Sequence, residues 1–166
     1  MNYRMLGYLF GVLLLIEGAL LLLPLAVALL FGESPVPYLL TLAALLCVGL
    51  PAVLQKPKNT RIYAREGFVC VAAAWILLSA FGALPFVFSG AIPQYIDAFF
   101  ETVSGFTTTG STILRTVENL PRGILFWRSF THWIGGMGVL VFMLAILPTG
   151  DSGAIHILRA EMPGPQ

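Results

Sequence analysis

Four apolar stretches divide the sequence, residues 6–31, 38–54, 67–88 and 123–147, and each approaches or exceeds the roughly 20 residues a helix needs to cross about 30 Å of hydrocarbon. That length fixes the solvent as lipid. With 58% hydrophobic and only 10% charged residues among 166, the chain has too little polar surface to keep a globular fold dissolved. Backbone polar groups in lipid must be satisfied within each segment, which favours helices. The expectation is an all-α integral membrane protein with four transmembrane helices.

The net charge of +1 carries little information, but the placement of charge sets an orientation, and no nucleic-acid partner is expected. Arg4 precedes the first stretch, and Lys56, Lys58, Arg61 and Arg65 crowd the loop between the second and third. The first loop, 32–37, carries only the acid Glu33. The positive-inside rule then predicts both chain ends in the cytoplasm, with Arg115 and Arg122 running against the bias. Cys47 and Cys70 fall within spans and are expected to act as small apolar residues without a disulfide. Ala26-Val27-Ala28 resembles a signal-peptide cleavage site, yet the apolar run before it is too long for one, so cleavage is not expected.

Residues 89–121 are too polar to cross and, in their first half, too apolar for a free loop. Residues 95–105 read as a short helix, with Pro93 and Asp97 suited to its start and Gly105 to its end. About 11 residues at 1.5 Å each reach roughly 16 Å, half the hydrocarbon thickness. Such a half-helix can enter and return. The run Phe106-Thr107-Thr108-Thr109-Gly110-Ser111-Thr112 suits helix poorly and is expected to be extended. Non-helical backbone at membrane depth must be buried in protein or line a watery cavity, so this re-entrant loop is expected to line one. The organisation that follows is a two-helix hairpin over 1–54, a basic cytoplasmic loop over 55–66, a helix, half-helix, filter strand and helix unit over 67–149, and a cytoplasmic tail or link over 150–166.

A half-helix C-terminus directs about half a negative elementary charge toward the membrane centre. The extended segment adds neutral carbonyl oxygens, which can replace the hydration shell of potassium. FETVSGFTTTGST followed by RSFTHWIGGMGVLVFMLAILP, together with the two preceding helices and LRAEMPGP near the end, resembles the TrkH-type members of the Trk/Ktr/HKT potassium transporter superfamily. The resemblance implies potassium uptake across the bacterial inner membrane, with a filter around Gly110 and backbone carbonyls of Thr108, Thr109, Gly110 and Ser111 as the metal-ion ligands. It implies potassium as the transported ion with no organic cofactor. The implied partners are the bilayer, three further pore units, a second copy in a homodimer, and a cytoplasmic nucleotide-binding regulator of the TrkA type. This sequence carries one pore unit where the family has four, and it reads as the N-terminal part of such a chain. Two alternatives stay open: a homotetrameric channel built from this short chain, and a non-transporting membrane assembly subunit.

Glu101 in the half-helix and Arg128 in the fourth span are expected to form an ion pair, because a buried charge is costly unless paired; the other reading is that Arg128 snorkels to the outer interface. Glu17, in mid-span, is expected to make a polar contact between helices rather than to bind ions. Gly135, Gly136 and Gly138 suit either bending during gating or close helix packing, and the Gly7 and Gly11 pair suits packing. His132 has no metal-binding partner at a useful spacing, and an interhelical hydrogen bond is expected of it. Trp127 is expected to sit in the outer aromatic belt. Ser104 and His132 lack a nucleophile elbow and a third member, so no enzyme is expected.

Overall fold

The computed structural model describes residues 3–55, 57 and 64–146, with side chains described outside 64–68 and 139–146. Six helices follow in order: α1 (Tyr3–Leu30), α2 (Val36–Leu54), α3 (Ala64–Gly82), α4 (Leu84–Phe88), α5 (Tyr95–Phe106) and α6 (Arg122–Ile146). No strand occurs among the described residues. Three segments are long and apolar enough to cross a membrane: Tyr3–Leu30, Val36–Leu54 and Val69–Phe88. The stretch expected to form the fourth span lies in α6, 25 residues long and continuous through its glycines. Most of the basic loop, including Lys56, Lys58 and Arg61, lies outside the described residues, as does the tail from 147 onward.

The first hairpin is closed by local chemistry. Gly32 takes a φ of +68°, and the Gly32 and Glu33 amides donate to the Leu29 and Ala28 carbonyls at 3.2 and 2.8 Å. This is a Schellman ending, in which a left-handed residue lets the chain satisfy carbonyls the helix has left open. Pro37, near the start of α2, needs no amide there because the first helical amides have no intrahelical partner.

The third apolar stretch forms two helices instead of one. Pro85 has no amide to continue α3, and the Phe86 amide turns to the Ala83 carbonyl at 3.2 Å. Trp127 Nε1 donates to the Gly82 carbonyl at 2.9 Å, so α6 stitches the break. Trp127 is fully buried there, which corrects its expected place in an aromatic belt. A single apolar core holds the layers together. Leu14 and Leu21 of α1, Tyr38 and Leu45 of α2, Phe86 of α4 and Ala98 of α5 meet Ile124 and Trp127 of α6 within it.

Glu33 joins the first loop to the start of α6. Its carboxylate accepts the Arg122 amide through Oε1 and the Gly123 amide through Oε2, the latter at 2.9 Å. The first amides of a helix lack partners and carry partial positive charge, so an acid 89 residues away in sequence serves as the cap. Glu33→Ala should lower stability by about 1 kcal/mol, the usual cost of losing a cap. Thermal unfolding in detergent micelles checks this, and an unchanged midpoint would show that the cap contributes nothing.

Candidate functional site

The site is built from α5 outward. Gln94 stands before the helix in extended backbone, and Asp97 lies in the first turn, where the helix dipole favours an acid. At the other end the helix runs one residue beyond Gly105, through Phe106. Gly105 is spent on packing: an added Cβ would collide with Thr131 Oγ1 on α6. Gly135 does the same from the other side, since its Cβ would strike the Phe106 carbonyl. A Cβ at Gly138 would lie 2.9 Å from Trp75, while one at Gly136 would meet only Thr108, at 3.9 Å. In this arrangement Gly135 and Gly138 give α5, α6 and α3 their close approach.

After α5 the backbone leaves the helix through a turn at Thr107 and Thr108. Residues 106–112 are non-helical apart from Phe106, but they are not extended throughout. Thr108 has a φ of 56°, unusual for a β-branched residue, and Gly110 one of 77°, natural for glycine. The turn arises because the threonines bond back to the helix end. The Thr107 hydroxyl donates to the Val103 carbonyl at 2.7 Å, and the Thr108 and Thr109 amides donate to the Gly105 and Ser104 carbonyls at 2.9 and 3.0 Å.

The carbonyls of Thr108, Thr109 and Gly110 accept no hydrogen bond among the described residues. That of Ser111 accepts the Ser104 hydroxyl at 2.6 Å. Residues 107–113 are all exposed on this chain. Three adjacent backbone oxygens are thus left without a protein donor, in a segment exposed enough on this chain for another partner to reach them.

The return from this segment is anchored on Glu101, which is 2% exposed. Its Oε1 accepts Arg128 Nε at 2.6 Å, and the two oxygens accept the Thr112 hydroxyl at 3.0 Å each. Oε2 also accepts the Ile113 amide at 3.0 Å. The structure thereby brings Glu101 and Arg128 together, with the Arg128 side chain 17% exposed. Three residues named in the sequence have roles that it did not assign to them: Ser104, Thr112 and Glu33. A serine or threonine within reach of a helix end is a usable signal for the first two; no local pattern points to the third.

Two expectations are corrected. His132 Nδ1 lies 3.0 Å from the Arg128 carbonyl of its own helix, so this contact is made within α6 rather than between helices. Glu17 is 3% exposed and neither of its oxygens has a hydrogen-bond partner among the described residues. Its Oε1 instead approaches Gly82, 3.0 Å from where a Cβ would stand.

Among the described residues every regular element is a helix, and helices long and apolar enough to cross a membrane share one core, the arrangement of the class of helical membrane proteins. Residues 38–166 match the TrkH family, described as cation transport protein, and the chain belongs to that family. It is 38% identical over 169 residues to the Trk system potassium uptake protein TrkH of Salmonella typhimurium, covering 99% of this chain and 35% of the relative. Against the Trk system potassium uptake protein TrkG of Escherichia coli K12, identity is 35% over 167 residues, covering 99% of this chain and 34% of the relative. An uncharacterised cation transporter of Methanocaldococcus jannaschii is 42% identical over 106 residues, 64% of this chain and 22% of that protein. The chain therefore spans about a third of the length of these potassium uptake relatives.

Arg128 is the partner that keeps the Glu101 carboxylate from being an isolated buried charge. Glu101→Gln should cost about 3 kcal/mol by leaving Arg128 without its partner. Adding Arg128→Met should recover part of that loss. Chemical denaturation of the three variants in detergent measures the coupling, and strictly additive effects would show that the pair does not act as a unit.

Proposed function

We propose that this chain supplies one pore unit of a potassium uptake protein, in which α5 is a half-helix entering the membrane and residues 107–113 form one wall of a selectivity filter. The observation that carries this reading is the set of three free backbone oxygens, at Thr108, Thr109 and Gly110, directly beyond the C-terminus of a 12-residue helix. Membership of a cation transport family and likeness to potassium uptake proteins of several bacteria support potassium as the ion.

A potassium ion entering the filter gives up water oxygens and takes carbonyl oxygens in their place. Neutral carbonyls suit this exchange because a ring of carboxylates would hold the ion more tightly than passage allows. The partial negative charge at the end of α5 adds a long-range attraction. Glu101 does not face the ion in this scheme. It holds Thr112 and Ile113, so the chain beyond Gly110 has one fixed path.

One such wall surrounds an ion on one side only, and three more pore units complete the ring. In this reading α6 is the fourth span, both ends of the chain lie in the cytoplasm, and the assembly sits in the bacterial inner membrane as a homodimer. A cytoplasmic regulator of the TrkA type contacts the basic loop 55–66 and the tail 150–166. The hairpin 1–54 serves as support for the pore unit 67–149.

Gly110 is the residue to test, since its φ of 77° is one that side chains rarely adopt. In the complete transporter, Gly110→Ala should reduce rubidium-86 uptake at least about tenfold, equivalent to 1.4 kcal/mol of lost transition-state stabilisation. Membrane abundance should stay unchanged. Uptake at the level of the unaltered protein would reject the filter assignment and leave the segment as packing.

A further inference from the structure

The hairpin of α1 and α2 is tight at one depth and open at another. A Cβ on Gly11 would stand 2.7 Å from Ala52 and 2.9 Å from the Gly49 carbonyl, whereas one on Gly7, a turn nearer the start of α1, would meet nothing within 4 Å. Of the glycine pair expected to pack, only Gly11 does so. Beyond it the helices part, leaving a cleft of about 370 Å³ lined by Tyr3, Arg4, Gly7, Tyr8, Ala52 and Gln55.

α1 begins and α2 ends at this cleft, so their opposite terminal partial charges largely offset. Arg4 then sets its sign. This residue is exposed and has no ion-pair partner among the described residues, and no acid lines the cleft. The sequence continuing from Gln55 adds Lys56, Lys58, Arg61 and Arg65 before its next acid, Glu66. Lipid-facing side chains border the same place. Leu54, next to Gln55, is 80% exposed and offers an apolar surface to hydrocarbon. Tyr3 is 73% exposed, and tyrosine, with an apolar ring and a polar hydroxyl, concentrates where hydrocarbon meets water.

We infer that this cleft binds the headgroup of an anionic phospholipid, with the Arg4 guanidinium on the phosphate and the acyl chains passing Leu54. A guanidinium presents paired N–H donors that match phosphate oxygens, and it is less strongly hydrated than an ammonium. Gln55 and the tyrosine hydroxyls supply further donors for the headgroup oxygens. Two other occupants fit less well. A soluble phosphate would satisfy Arg4 and leave Leu54 and the tyrosine rings uncovered. A zwitterionic headgroup would carry its ammonium into a cleft that holds no acid. The site is independent of the filter, lying at the opposite end of the hairpin from Glu33 and the start of α6.

Native mass spectrometry of the full chain in neutral detergent micelles tests this, with phosphatidylglycerol and phosphatidylcholine of matched acyl chains as probes. Phosphatidylglycerol should bind about fivefold or more tightly than phosphatidylcholine, equivalent to about 1 kcal/mol, the scale of one basic side chain near anionic headgroups. Arg4→Gln should remove most of that preference. Gly7→Leu, whose side chain has room to stand in the cleft while Arg4 is kept, should weaken phosphatidylglycerol binding about as much. Arg122→Gln, which removes an exposed cation at the other end of the hairpin, should leave it unchanged. Equal affinity for the two lipids overturns the proposal. So does undiminished phosphatidylglycerol binding in either cleft variant with native circular dichroism, or an equal loss in Arg122→Gln. Displacement of the lipid by inorganic phosphate at equal concentration would reassign the cleft to a free anion and likewise overturn the lipid site.

Discussion

A single buried carboxylate, that of Glu101, ties together three parts of the chain that have no other common anchor. It receives Arg128 from α6, the Thr112 hydroxyl and the Ile113 amide from the returning segment, and it is itself fixed on α5. Each of these donors would be costly to leave unmade away from water, so the four groups are mutually stabilising. The consequence is geometric: the residues between Phe106 and Thr112 are held at both ends. Five exposed residues can then keep a defined backbone without a strand partner of their own, because the Glu101 anchor beside them is buried.

The packing beneath that anchor works by subtraction. Gly105 and Gly135 remove the side chains that would keep α5 from α6, and the helices come close enough for the Phe106 backbone to rest on Gly135. In lipid the apolar effect gives helices little reason to prefer each other over acyl chains, so close contact and specific polar bonds must supply the preference. Trp127 supplies one such bond across the α3 to α4 break, and Glu33 supplies another at the head of α6. Both lie away from residues 107–113, yet both set where α6 stands, and α6 carries Arg128.

Much of this was legible in the sequence where the physics is local or where a cost demands an answer. Long apolar runs announced helices because lipid allows few alternatives. The pairing of Glu101 with Arg128 could be anticipated because two charges in apolar surroundings each require a partner. Distant pairings were not legible: nothing around Glu33 announces a bond to Gly123, 90 residues away. Trp127 misled because its nearness to the end of an apolar run suggested an interface, whereas the break at Pro85 had opened a carbonyl for it. The threonine run misled in a different way. β-branched residues favour extended backbone, but hydroxyls within reach of a helix end bond back to its carbonyls, and at Thr107 that preference won.

The two unusual backbone angles follow from the same competition. Once Thr107 and Thr108 have turned back onto α5, the chain must reverse to reach Glu101 through Thr112. Thr108 and Gly110 make that reversal, at φ values of 56° and 77°. Glycine takes such an angle freely, while threonine does so at a cost of order 1–3 kcal/mol that the surroundings must offset. The offset lies in the bonds to Val103, Ser104 and Gly105 on one side and to Glu101 on the other. The reversal uses the amides of Thr108 and Thr109 inward and leaves the carbonyls of residues 108–110 without donors. Those free oxygens are therefore a product of how the loop is tethered, and a cation that used them would draw on a strain already compensated within the fold.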